Sequence, residues 1–153
     1  MPPAKTFTQP AAVASFRFTT AIAAGGSDSK TYKNDTGSWL KIFCINGDVR
    51  VSAAGNAAIP AYKDAAPLAA SNDRMARAHF RLKIESSSGT PWTIHSQGAL
   101  FNSLVGTADN PFYLPQPFAI APGEEVSVTL FNDSGTSALG QVDFVCQRSS
   151  GPN

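Results

Sequence analysis

Residues 76–85 alternate without interruption, with Ala76, Ala78, Phe80, Leu82 and Ile84 on one side and Arg77, His79, Arg81, Lys83 and Glu85 on the other. A period of two held that long predicts a strand with one face in a core and one in water. The same alternation recurs in Val126, Val128 and Leu130 against Ser127, Thr129 and Phe131. It appears again in a last strand from Leu139 to Arg148, where Val142, Phe144 and Cys146 share a face. Near the start, Phe16 and Phe18 alternate with Ser15, Arg17 and Thr19, which predicts a first strand opening near Val13.

Turn residues punctuate these runs. Gly25 to Lys30, rich in glycine and short polar side chains, is expected to end the first strand. The run Trp39 to Ile45, then Asn46-Gly47-Asp48, then Val49 to Val51 predicts a β-hairpin, since Asn-Gly favours the two positive-φ positions of a type I′ turn. Residues 53–73 are alanine-rich but broken by Pro60 and Pro67, so one or two short turns on a long crossover are expected. Ser86 to Pro91 turns the chain before a short return strand at Trp92, Ile94 and His95. Residues 97–117 read as a long patterned loop or a pair of very short strands. Ala121-Pro122-Gly123-Glu124 fits a type II turn, with proline fixing φ first and glycine taking the positive φ next. Asn132 to Gly135 is a further turn.

Seven or eight strands separated by such turns, with no repeated helix to cover a parallel sheet, predict an all-β fold. The expectation is an antiparallel β-sandwich, and the long crossovers suit a jelly-roll or other Greek-key topology better than a meander. No repeat of propeller or solenoid length stands out. The proline-bearing start cannot bury enough apolar surface to order itself. Residues 1–15 are therefore expected to form a flexible arm, and residues 16–150 one sandwich domain.

Composition narrows the function classes. The 153 residues are 42% hydrophobic and 15% charged, well under the usual charged share of about 25%, which disfavours a coiled coil or a disordered acidic chain. Twelve Lys/Arg against 11 Asp/Glu leave a net charge of +1. Without a global basic field, nucleic-acid binding is disfavoured. The start lacks the apolar run of a signal peptide and no apolar stretch is long enough for a membrane span, so a chain made in a cytosol, with no membrane partner, is expected. Cys44 and Cys146 are too few for a disulfide framework or a structural zinc site; buried free thiols are the simpler reading, with a bridge left open.

Candidate chemistry is sparse. His79 lies on a wet strand face between Arg77 and Arg81, and His95 has no nucleophile elbow beside it. Glu124 and Glu125 are neighbours, which a strand directs to opposite faces, so they do not form an acid pair. Asp28, Asp35, Asp48 and Asp133 are too scattered for a calcium loop, and neither phosphate-binding fingerprint occurs. No enzyme, cofactor or metal is expected.

Contact surfaces are the alternative to chemistry. Residues 1–83 carry 11 Lys/Arg and 5 Asp/Glu, net +6, whereas residues 84–153 carry Arg148 against 6 Asp/Glu, net −5. Were these halves spatially separate, a basic region of one copy could meet an acidic region of the next. Phe16, Phe18, Phe80, Phe118 and Phe144 are expected in the core. Trp92, Phe101, Phe112 and Tyr113 sit in turn-rich segments, where they cap the sandwich or form an apolar patch.

The second half of the chain, about 75 residues, resembles small β-sandwich structural proteins of bacterial viruses. The resemblance is carried by Phe80 to Ile84, Pro91-Trp92-Thr93-Ile94, Pro117 to Glu124, Val126 to Asn132 and Val142 to Val145. It implies a virion protein made in the host cytoplasm, as capsid, decoration or capsid-associated subunit. Such a protein works by symmetric contacts with other copies of itself and with other virion proteins. Expected contacts are Phe7 in the arm, the strand face Arg77, Arg81 and Lys83, and the loop aromatics Phe101, Phe112 and Tyr113. The alternative is a carbohydrate- or cell-surface-binding sandwich with glycan as partner.

Overall fold

A computed structural model describes residues 11–51, 79–86, 93–106, 112–135 and 137–151. Among these residues eight strands form two antiparallel sheets: β1 (Ala11–Ile22), β2 (Ser27–Lys33), β3 (Trp39–Val51), β4 (Phe80–Ser86), β5 (Thr93–Leu100), β6 (Phe112–Ile120), β7 (Glu125–Asn132) and β8 (Ala138–Ser149), with one helical turn, α1 (Phe101–Leu104), after β5. The first sheet has the order β1-β8-β3-β6 and the second β2-β7-β4-β5. The chain is thus an all-β, two-sheet antiparallel sandwich.

Alternation builds the core as expected. The apolar sets Phe16/Phe18, Phe80/Leu82/Ile84, Val126/Val128/Leu130 and Val142/Phe144/Cys146 are all buried and belong to one cluster. The Phe144 ring joins its neighbours within the first sheet to this centre, 4.8 Å from the Phe16 centroid and 5.8 Å, edge-on, from that of Phe118. Cys44 and Cys146 are buried free thiols, and burial pushes the Cys146 thiol up to about 11. That keeps it protonated and unreactive near neutral pH.

Among the described residues every strand pairing joins one of β1–β4 to one of β5–β8. The oppositely charged halves of the sequence are therefore interleaved strand by strand and do not form opposed faces.

Several local expectations are corrected. β1 already starts at Ala11, with Ala11 opposite Gln147 and Ala14 opposite Phe144, so residues 11–15 belong to the sheet and not to an arm. The polar segment 27–30, expected as turn, begins β2; only Gly25-Gly26 turn. β2 is an edge strand, so the sheet needs little apolar surface from it. Asn46-Gly47 makes no hairpin. β3 runs straight through it along β8, from Trp39 opposite Ser149 to Val51 opposite Ala138. Gly47 is not among the described glycines with positive φ, and a Cβ there would lie 2.6 Å from the Gln141 carbonyl oxygen, 3.0 Å from Val105 Cγ1 and 3.1 Å from Phe101 Cζ. The glycine is needed for close packing, not for a bend. The return strand β5 reaches Leu100, and the segment 97–117 contains α1 and most of β6. The expected crossover at 53–73 and the first residues of the 76–85 alternation lie outside the described residues.

The Pro-Gly turn is as expected: Gly123 has φ 78° and the Glu124 N–H donates to the Ala121 carbonyl at 3.1 Å. Its surroundings reveal an internal repeat. Residues 21–38 and 119–136, 98 positions apart, share Ala-Ile-Ala, then Gly, Ser and Thr at fixed offsets, then Asn-Asp-Thr-Gly-Ser against Asn-Asp-Ser-Gly-Thr. The two copies cap each other. The Asn34 amide donates to the Ile120 and Ala121 carbonyls, both at 3.1 Å, while the Asn132 amide donates to Ile22 and Ala23 at 2.9 and 3.3 Å. The backbone repeats the relation: Gly123 donates to Asn34 and Gly25 to Asn132, each at 2.8 Å, and Asn34 and Asn132 donate back to Glu124 and Gly26 at 2.9 Å. In the β2–β7 ladder the equivalent residues Lys30 and Val128 face each other, which locates a local two-fold axis. Two equivalent corners therefore lead from the second sheet to the first, from β2 into β3 and from β7 into β8.

Candidate assembly surfaces

The outer face of the first sheet is built by a β-bulge. Between Ile42, opposite Cys146, and Cys44, opposite Val145, one extra residue enters β3. Ile42 and Ile45 both stay in the core, so the bulge turns Phe43 and Cys44 to the outer side together. Pairing extends this position into a row across all four strands: Val13 opposite Val145, Val145 opposite Cys44, and Cys44 opposite Tyr113. Its ends are among the most exposed large apolar groups of the molecule, Val13 at 59% and Tyr113 at 69%. Polar rows flank it. On one side Lys41 stands opposite Gln147, its ammonium 5.9 Å from the centre of the Phe43 ring. On the other, Asp143 stands between Ser15 and Asn46, followed by Gln141 between Arg17 and Asp48.

The outer face of the second sheet is polar along β2, β7 and β4, with the exposed Leu100 opposite Arg81 at its β5 edge. Ser29 and Thr129 hydroxyls meet across β2 and β7 at 2.7 Å, and Thr31 and Ser127 at 3.0 Å. Arg81 lies over the Phe131 ring, 4.6 Å from its centroid, and binds both Asp133 carboxylate oxygens, at 2.5 and 3.0 Å. Lys83 pairs with Glu85 at 3.1 Å. The hydrogen bond from Arg81 holds the Asp133 carboxyl below its ordinary range. Because the folded-state value is depressed, its stabilisation is complete above the unfolded carboxyl pKa near about 3.9 and vanishes as pH falls through the folded value. Both side chains are about a third or more exposed, so Asp133→Asn is expected to cost no more than about 1 kcal/mol at pH 7 and less as the pH is lowered below about 3.9. Urea unfolding at pH values on either side of this range checks this.

Two of the sheet edges are blunted. Asp28 and Lys30 of β2 lie opposite the buried Leu130 and Val128, on the core-facing row, and pair at 3.1 Å. They border an open hollow of about 350 Å³ with Thr20, Ile22 and Ser27. At the equivalent positions of the repeat stand Val126 and Val128, both fully buried. Inward-pointing charge on one copy and core on the other is a means of discouraging strand addition at β2. β6, an edge of the first sheet, contains Pro115 and Pro117, which remove ladder donors.

The expected contact residues are dispersed by this arrangement. Tyr113 ends the apolar row. Phe112, opposite Ile45, takes the core-facing side at the sheet edge and is 38% exposed. Phe101 is fully buried in the core cluster and offers no surface. Arg81 and Lys83 share the second sheet's outer face with their acidic partners, away from Tyr113. Phe7 and Arg77 lie outside the described residues. Val13, Phe43 and Val145 were not anticipated; only the bulge and the register bring them together. Among the described residues no group of three His, Cys, Asp or Glu side chains could hold a metal ion, and no helix is long and apolar enough to cross a membrane. No family model, curated protein or solved structure matches the chain.

Proposed function

We propose that the sandwich is a jelly roll and that the protein is a structural subunit of a bacterial virus particle, acting by association with copies of itself and with other virion proteins. The observation that carries this reading is the nesting of the strand pairs. β4 pairs with β5, β3 with β6, β2 with β7 and β1 with β8, as in one long antiparallel hairpin folded over into two sheets. The additional pairs β3 with β8 and β4 with β7 join its turns side by side. Double-sheet jelly rolls recur in viral shell proteins and in lectins. The resemblance of residues 80–145 to small virion sandwiches favours the first. The apolar row, exposed at its ends Val13 and Tyr113 and buried at Cys44, supplies a surface suited to protein contact.

The test is the native mass of the full chain over a range of concentrations. A discrete symmetric oligomer, growing with concentration, is the expected result. A strict monomer that binds glycans saturably would replace this reading with the carbohydrate-binding one.

A further inference from the structure

We propose that the outer face of the first sheet docks a second copy of this chain, the two apolar rows lying on each other about a two-fold axis that runs along the row. This rests on the self-association reading and names its surface and geometry. Four strands about 4.8 Å apart make the row roughly 15 Å long, and it crosses the whole sheet from Val13 to Tyr113. Blunting at β2 and β6 disfavours strand addition at two of the four sheet edges.

Charge selects the axis. Lys41 lies on one flank of the row, and Asp143 and Asp48 on the other, with Arg17 beside them and Arg50 one position further along β3. A two-fold axis along the row turns each flank onto its opposite, so Lys41 faces Asn46 and Asp143 of the other copy, twice by symmetry. An axis along the strands through the middle of the row would set Lys41 against Gln147 and turn each flank onto itself, leaving Asp143 and Asp48 away from Lys41. Only the first arrangement is self-complementary. The footprint, four strands by the eight residues Lys41 to Asp48, covers on the order of 500 Å² per copy. That is below the roughly 800 Å² of a standard interface, so the isolated dimer is expected to be weak and concentration-dependent.

Sedimentation of the full-length protein from about 10 μM to about 1 mM tests the proposal. The wild type is expected to dimerise, with Tyr113→Asp, Val13→Asp and Lys41→Asp each raising the dissociation constant by about tenfold or more. The double variant Lys41→Asp/Asp143→Lys is expected to recover to within about threefold of wild type. Val13 and Tyr113 are exposed at opposite ends of the row, so a folding defect in one variant leaves the other as readout, with unchanged melting as the control. If the wild type associates while both row variants match it, the surface is wrong and the self-association reading stands. If the single variants lose association but the charge exchange fails to restore it, the axis is wrong. A wild type that stays monomeric throughout overturns both.

Discussion

Asn132→Ala is expected to lower stability by about 2–4 kcal/mol, and Asn34→Ala by a similar amount. Each asparagine is almost wholly buried, at 0% and 1% exposure, and each closes one corner between the sheets. The Asn132 amide supplies two backbone carbonyls, and its oxygen accepts from the Ser134 N–H at 3.0 Å and the Ser134 hydroxyl at 2.5 Å. The Asn34 oxygen accepts from the Thr36 N–H and hydroxyl at 3.2 and 2.7 Å, and its amide also reaches the Ser38 carbonyl at 2.8 Å. Truncation removes the donor and leaves those carbonyls without it in a buried corner, and such unsatisfied groups cost about 1–3 kcal/mol each where water cannot replace the partner. In a chain of this size the loss corresponds to a melting temperature roughly 5–15 °C lower. The corners lie at opposite ends of the β2–β7 ladder and share no side-chain partner, so the double variant should lose close to the sum. Asn132→Asp discriminates the mechanism further: a carboxylate facing two carbonyls repels them, whereas a protonated carboxyl can donate to one. Its deficit relative to wild type should therefore grow as pH rises from 4 to 7. A loss under about 0.5 kcal/mol in either alanine variant would show that the corners hold without their pins.

These corners also mark the limits of reading structure from sequence. Alternation alone located β4, β7, β8 and the core-facing half of β1, because a buried face forces period two wherever one side is wet. It failed at β2, where Asp28, Lys30 and Tyr32 occupy the core-facing row of an edge strand and no apolar stripe results. The repeat is present as a constant offset of 98, but apart from Ile22 and Ile120 its shared positions are small, polar or turn residues that hydropathy does not weigh. The glycines and prolines around Phe101 read as a long patterned loop or a pair of very short strands; the space its ring fills depends on Gly47, far away in sequence, having no side chain. The candidate surface was least legible. Val13, Phe43 and Val145 are singly ordinary, and their alignment depends on one inserted residue between Ile42 and Cys44 together with the register of three strand pairs.

Gly47→Ala is expected to cost about 3 kcal/mol or more, and Asn46→Ala less than about 0.5 kcal/mol. The contrast separates a strand from a turn. In a type I′ hairpin both residues would hold positive φ, and either substitution would cost on the order of 1 kcal/mol. In the extended β3, Asn46 is half-buried, and the only side-chain bond shown for it is the long 3.4 Å contact from the Cys44 thiol. Gly47 faces inward between Ile45 and Val49, where the added methyl would meet the Gln141 carbonyl oxygen at 2.6 Å. That oxygen belongs to β8, the strand shared by β1 and β3, and cannot rotate aside as a side chain can. Relief would require shifting the ladder, and with it the Gly106 bridge in which Gly47 donates to the Gly106 carbonyl at 3.0 Å and Gly106 to that of Ile45 at 2.8 Å. Phe101→Leu added to Gly47→Ala should restore only part of the loss, since it eases the 3.1 Å ring contact and leaves the carbonyl contact in place. Equilibrium urea unfolding of the four proteins measures each difference. Equal losses for Asn46→Ala and Gly47→Ala would mean that β3 turns at this point and that the long β3–β8 ladder is wrong.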